Sequence, residues 1–311
     1  MSNLKDIYNK QLEYISCNLC GNNDYEVIYP SQYELAQSAN LVDTFKSSGD
    51  QVLLDQLVRC KNCGLQYLNP RLKEELVIQG YSSGEDETFV SQKSAREHTF
   101  EKSLKMIEKW VPQRGRILDI GTAGGSFLGM AHRRGWEVAG CEPSRWLSQW
   151  GTREYGISIT PGTLFDMQLE QDSFEAVTLW DVLEHTGDPT AVLKECHRVL
   201  KPDGLLVVNY PDINSLVARM MGRKWVFLLS VHLYYFTRVT MNKMLEKTGF
   251  QTVEVKKHWQ SLELGYILQR MKPYMPFLPG IASGIIKFLG MEHCQIPYWM
   301  GQVLFMAICK K

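Results

Sequence analysis

Short apolar runs that alternate with amphipathic segments from Gly115 onward predict an α/β domain built on a mainly parallel sheet, preceded by a small metal-bound module. Two further observations support this. A glycine-rich turn, Gly121-Thr122-Ala123-Gly124-Gly125, follows directly on the first apolar run, and two Cys-x-x-Cys-Gly units, Cys17-Cys20 and Cys60-Cys63, stand ahead of the whole series. A chain of 311 residues with 44% hydrophobic content can bury one large core and carry a small accessory unit.

Two residues between cysteines let the chain turn back so that both sulfurs face one ion, and the glycine that follows tolerates a positive φ. Cys17, Cys20, Cys60 and Cys63 therefore read as a zinc-ribbon-like site of four thiolates, structural because no position is left for water. The gap from Gly21 to Arg59 exceeds what a compact ribbon needs, so Gln32 to Asp50 is expected to insert a helix and loop. Cys141, Cys196, Cys294 and Cys309 are isolated and read as core residues.

Along the α/β part, Arg116 to Ile120 is the first strand, and the helix Ser126 to Arg134 follows its glycine turn, closed by two arginines and Gly135. Trp136 to Cys141 is the second strand, with Glu142 at its C-terminal edge, where a carboxylate can accept from both hydroxyls of a ribose. Ile157 to Thr160 and Phe174 to Trp180 are the third and fourth strands. Asp188-Pro189 opens a helix whose buried stripe is Val192, Leu193, Cys196, Val199 and Leu200. Leu205 to Asn209, Gln251 to Lys257 and Gln302 to Cys309 complete the sheet, with a helix over Thr237 to Lys247. A dinucleotide fingerprint would need glycines where Ala123 and Ser126 stand, which disfavours nicotinamide binding.

Lys+Arg and Asp+Glu both total 34, so no net field attracts a polyanion and nucleic acid is not the favoured substrate. The charged, polar start of the chain lacks the apolar core of a secretory signal, which predicts a cytoplasmic protein. The uncharged runs Trp225 to Thr237 and Pro273 to Ile286 are too short to cross a bilayer.

RILDIGTAGGSFL, WEVAGCEPS, FEAVTLWDVLEH, RVLKPDGLLVVNYPD and HLYYFT, in this order and spacing, resemble class I methyltransferases of the ubiquinone-pathway type, and RCKNCGLQYLNPR resembles the zinc-binding leader that precedes many such domains. The resemblance implies a Rossmann-like sheet of seven strands, mostly parallel with the last antiparallel, and S-adenosylmethionine as methyl donor. It divides the chain into a zinc module over 1–75, a helical linker and cofactor cover over 76–113, and a catalytic domain over 114–311 with acceptor-side insertions at about 212–236 and 260–299. Asp119, Gly121, Ala123 and Gly125 would then shape the pocket for the methionine end, Glu142 would hold the ribose, Thr163 and Leu164 would contact the adenine, and Trp180 would pack near adenine or sulfonium. Ala123 replaces the family's middle glycine, which narrows how closely the backbone approaches the cofactor.

Methyl transfer is a one-step displacement, so the protein aligns the acceptor and removes its proton. His185, just after the fourth strand, is the first candidate base; its alternative role is to stabilise the strand–helix corner. His232, opening HLYYFT, is the second. Asp181, Glu184 and His185 have i, i+3, i+4 spacing, and related quinone O-methyltransferases imply a Mg²⁺ site there. Tyr81 and the polar helix Lys93 to Trp110 are placed to cover the cofactor. Asn214 to Val231 and Ser261 to Gly290 mix apolar residues with Arg219, Arg223, Lys224, Arg270, Lys272 and Lys287. Such segments suit a buried acceptor cap, a homodimer contact, or a peripheral membrane surface meeting a lipid-linked acceptor. The expected activity is methylation of a small molecule such as a sugar, polysaccharide precursor or phenol, chiefly on oxygen. An RNA methyltransferase with a zinc module and a non-catalytic binding protein on the same fold are the alternatives.

Overall fold

The computed structural model describes residues 11–32, 53–83, 85–271, 284 and 286–311. The insertion expected over Gln32 to Asp50 lies, apart from Gln32, outside the described residues, as does much of the second acceptor-side insertion. The side chain of Tyr81 is likewise outside them.

Among the described residues the first elements are short strands β1 (Leu12–Glu13), β2 (Tyr25–Tyr29), β3 (Leu57–Cys60), β4 (Gln66–Leu68) and β5 (Arg71–Leu72), then helices α1 (Glu74–Ser83), α2 (Glu87–Ser91) and α3 (Lys93–Trp110). The α/β series follows as β6 (Arg116–Ile120), α4 (Ser126–Arg133), β7 (Glu137–Glu142), α5 (Arg145–Tyr155), β8 (Thr160–Pro161), β9 (Phe174–Trp180), α6 (Pro189–Val199) and β10 (Leu200–Pro211). It ends with α7 (Leu216–Met221), β11 (Tyr234–Tyr235), α8 (Arg238–Lys247), β12 (Phe250–Lys257), β13 (Gln260–Glu263), α9 (Leu264–Met271), β14 (Gln295–Tyr298) and β15 (Gln302–Cys309).

Seven strands form one sheet in the order β12-β15-β10-β9-β6-β7-β8. β10, β9, β6, β7 and β8 are mutually parallel, and β15 inserts antiparallel to both β10 and β12, as the sequence predicts. Because parallel strands all end on one side, Ile120, Glu142, Trp180 and Pro211 bring their following loops to a common edge.

Most elements form where local chemistry starts and stops them. Ser144 accepts from Leu147 N at 3.2 Å to begin α5, and Gly156 ends it in the left-handed conformation at φ 65°. Asp188 accepts from Ala191 N at 2.9 Å to begin α6, with Pro189 in its first turn and Val192, Leu193, Cys196 and Val199 buried. The third strand is shorter than its apolar run suggests. Ile157 and Ile159 are buried, but only Thr160 and Pro161 pair with β7, because β8 is an edge strand closed by proline.

One face of the large sheet carries Ile117, Ala176, Leu205 and Val207 against α3 and α4, through Leu104, Phe127 and Leu128. The opposite face, with Leu118, Val177, Leu206 and Val208, shares a continuous apolar core with Leu57, Val58, Leu65 and Tyr67 of the cysteine module. The module's sheet is completed from the other half of the chain. β11 pairs antiparallel with β4, Tyr234 opposite Tyr67 and Tyr235 opposite Gln66, giving the order β11-β4-β3-β2. No helix among the described residues is long and apolar enough to cross a membrane.

Phe305 on β15 is buried between Val208 of β10 and Val255 of β12, with its ring centroid 5.9 Å from that of Tyr210. Phe305→Ala is expected to cost about 3–5 kcal/mol in urea unfolding. A loss below about 1 kcal/mol would contradict its place in the packed centre of the sheet.

Candidate active site

The turn after β6 is tight because three residues take positive φ: Gly121 at 63°, Ala123 at 49° and Gly125 at 73°. A Cβ on Gly121 would lie 2.7 Å from Val182 Cγ2, so glycine is needed there for space as well as for conformation. Ala123 adopts the left-handed region that its methyl group disfavours, at a cost of roughly 1–2 kcal/mol. Its backbone N–H donates to Glu142 Oε2 at 2.8 Å, and Ser144 N–H donates to Glu142 Oε1 at 2.8 Å. Glu142, 5% exposed, thus ties the turn after β6 to the start of α5. Each of its oxygens retains a second acceptor direction, the one that ribose hydroxyls require.

Burial pushes the Glu142 carboxyl up to about 7, against the two backbone hydrogen bonds. Asp119 lies one strand away, also pushed up to about 7 by burial, and accepts from Thr178 Oγ1 at 2.5 Å, so it sits beneath the turn and anchors β6 to β9. Thr163 and Leu164 begin a single 3₁₀ turn after β8. Thr163 N and Oγ1 both donate to Asp166 Oδ2 at 2.7 Å, which places an acidic group beside Thr163. The signal in the sequence was the Thr-x-x-Asp spacing of a capping box.

Trp180 is half-buried among aromatic rings at the end of β9, with centroids 5.2 Å from Phe127, 5.4 Å from Phe100 and 5.5 Å from His258. Its Nε1 is buried without a hydrogen-bond partner. Phe100 and His258, which the sequence does not single out, therefore share its surroundings.

Asp181, Glu184 and His185 do not lie along one helical face. Asp181 leaves β9 with φ 52°, and only Leu183–His185 form a 3₁₀ turn. The Asp181 carboxylate turns the other way, accepting from Asn209 Nδ2 at 2.5 Å and Gln260 Nε2 at 3.0 Å, with Tyr298 O–H donating to Gln260 Oε1 at 2.5 Å. Glu184 and His185 instead meet His232, and one candidate ligand atom from each lies within 4.8 Å of the others. This set is too rich in nitrogen for Mg²⁺, which takes oxygen ligands, so the magnesium site implied by the resemblance does not fit the residues brought together here.

His185 Nδ1 donates to the carbonyl of Val231 at 2.9 Å, which fixes the tautomer and leaves the ring's lone pair on Nε2. Burial pushes His185 down to about 4, so the imidazole is neutral at neutral pH. His232, its ring centroid 4.6 Å away and nearly perpendicular, is pushed well down by burial and by His185. Glu184, 1% exposed, has both oxygens without hydrogen-bond partners; burial, then the charge of Asp181, drives it well above the usual carboxylate range.

In the N-terminal module, Cys17 Sγ lies 3.4 Å from Cys63 Sγ and Cys20 Sγ lies 3.5 Å from Cys60 Sγ, with all four sulfurs within 4.8 Å of one another. A tetrahedral zinc with Zn–S bonds of about 2.3 Å puts its sulfurs at comparable spacing, so the quartet fits the ion. Burial pushes Cys17 up and Cys63 up to about 11; a bound cation would reverse this cost.

Residues 93–255, just over half of the chain, match the model of the methyltransferase domain family. The chain belongs to this family. A ubiquinone biosynthesis O-methyltransferase of Psychrobacter arcticus is 24% identical over 188 residues, covering 51% of this chain and 72% of that protein. Its counterpart in Cereibacter sphaeroides is 25% identical over 182 residues, covering 51% and 74%. The crystal structure of a SAM-dependent methyltransferase from Archaeoglobus fulgidus superposes with a TM-score of 0.50 at 16% identity, over 72% of this chain and all of that one, and shares the fold. The protein is an S-adenosylmethionine-dependent methyltransferase. The tight left-handed turn at Gly121 and the carboxylate of Glu142 fit that donor.

If Glu142 receives the ribose, its ionised form is the binding form, and affinity for the donor should rise as pH passes upward through about 7 and level off above. Calorimetric titration of S-adenosylmethionine is expected to show a weakening of up to about tenfold for each pH unit below that point. Equal affinity at pH 5.5 and pH 8 would exclude Glu142 from that role.

Proposed function

We propose that this methyltransferase methylates a hydroxyl group of a small-molecule acceptor, with His185 as the base. The observation that carries the proposal is the hydrogen bond from His185 Nδ1 to Val231 O, which fixes a neutral imidazole in the loop after β9, at the same sheet edge as the turn after β6. When bound, S-adenosylmethionine supplies a methyl group on a sulfonium, whose transfer leaves a neutral thioether.

The residues of the chain have two tasks. Gly121, Gly125 and Glu142 orient the donor, and Asp119 holds their turn from below. His185 Nε2 takes the hydroxyl proton as the acceptor oxygen forms its bond to carbon, so the positive charge ends on the imidazole. A base held near 4 returns that proton readily once product leaves. His232 is the second imidazole at this centre, and Glu184, held in its neutral form by burial, lies beside both. The two relatives named above methylate oxygen in ubiquinone biosynthesis, which supports a hydroxyl acceptor. The balanced charge of the chain favours a small molecule over RNA. Zinc on the four cysteines has a structural role, since its four thiolates leave no site for substrate.

His185→Gln should leave S-adenosylmethionine affinity within about twofold and lower turnover by roughly 10²- to 10⁴-fold. The acceptor for this measurement comes from a mass-spectrometric screen of phenols and sugars for the gain of one methyl group. Turnover at the wild-type rate would remove His185 as the base.

A further inference from the structure

We infer that Asn18, between two of the four cysteines, is a positioning residue for the acceptor-side histidines, carrying the order of the metal-bound knuckle into the turn that bears His185. The inference rests on the reading of His185 as the base.

Asn18 lies in the first knuckle, where Cys17 and Cys20 fix the backbone on either side. Its side chain crosses to the catalytic domain. Oδ1 accepts from Thr190 N at 3.0 Å and from Thr190 Oγ1 at 2.7 Å, and Nδ2 donates to Asp188 Oδ1 at 2.8 Å. The same Asp188 oxygen caps α6 through Ala191 N, so Asn18 holds the residues that begin the helix, three positions beyond His185. Lys247 Nζ reaches the carbonyls of Asn18 and Leu19 at 3.2 and 2.9 Å, gripping the knuckle from α8.

The module holds the opposite wall as well. Arg71 Nη1 donates to Gly187 O at 2.9 Å and to Tyr234 O–H at 3.0 Å. Ser230 Oγ accepts from Leu54 N at 2.8 Å, and Leu68 N donates to Leu233 O at 3.0 Å. Between Ser230 and Leu233 lie Val231, whose carbonyl sets the His185 tautomer, and His232 itself. The hydrogen bonds of Glu142 and of Asp119, by contrast, stay within the α/β part. Loss of order in the knuckle should therefore loosen the histidines and spare the donor site.

The test uses the full chain labelled with ¹⁵N-histidine, in four forms: zinc-loaded, chelated, Asn18→Ala, and the exchange Asn18→Asp with Asp188→Asn, which restores a donor–acceptor pair across the contact. Three quantities are read: the imidazole nitrogen signals of His185, hydrogen exchange over 183–190 and 229–235, and S-adenosylmethionine affinity. Chelation and Asn18→Ala are each expected to replace the single Nδ1–H pattern by averaged tautomers and to speed exchange in both segments about tenfold or more. Donor affinity should stay within about twofold, and zinc return or the paired exchange should restore the signals. An unchanged His185 pattern in either perturbed form would overturn the inference. So would donor affinity falling in step with the loss, which marks general unfolding, or a failure of the paired exchange to restore order. If only the assignment of the base is wrong, His185→Gln keeps its turnover while these signals still move, so the two failures are distinguishable.

Discussion

A carboxylate buried at the end of β7 must find hydrogen-bond donors, and the shape of the turn after β6 follows from where Glu142 finds them. Its partners are the backbone amides of Ala123 and Ser144, one from the turn after β6 and one from the start of α5. Two loops that begin on neighbouring strands are thereby held at one distance, and Ala123 is kept in a conformation it would not choose alone. The strain is small beside the cost of leaving a buried carboxylate without donors, which is why the turn tolerates alanine at this point.

Around this clamp the centre is built of groups whose charged forms burial disfavours. Asp119 and Glu142 are pushed up to about 7, Glu184 is driven higher than its ordinary range, and His185 is lowered to about 4. A cation entering such a site recovers part of the desolvation cost by allowing carboxyls to ionise, and the methyl donor of this family carries a sulfonium. The same groups act on stability in opposite senses. The raised carboxyls contribute stability below their unfolded values that is lost as pH rises towards 7, whereas the lowered histidines contribute stability above 6.5 that is lost as pH falls towards 4.

The four-cysteine unit takes part in this centre rather than standing beside it. Its sheet is closed by β11, its apolar core runs on into the large sheet, and Arg71 and Asn18 reach the turn between His185 and α6. A small module with little core of its own gains stability from this arrangement, and the catalytic part gains a rigid wall where its own loops are long.

Much of the site was written locally. The alternating apolar runs, the left-handed glycines, the capping pair at Asp188-Pro189 and the two Cys-x-x-Cys-Gly units each depend on residues a few positions apart, so their chemistry can be read along the chain. The grouping of the acidic and histidine side chains could not be read in that way. The spacing of Asp181, Glu184 and His185 assumed a helical turn, but the left-handed backbone at Asp181 sends its carboxylate towards Asn209 and Gln260. His185 is completed by Val231, 46 residues away, and Asn18 meets Thr190 across 172 residues. Such contacts are decided by which strands pair and how the layers pack, and local propensity carries no information about either. The sequence by itself therefore determined the fold, the glycine turn and the cysteine quartet, while only the tertiary structure decided which side chains gather around His185, because that choice is made by closing long loops around a common core.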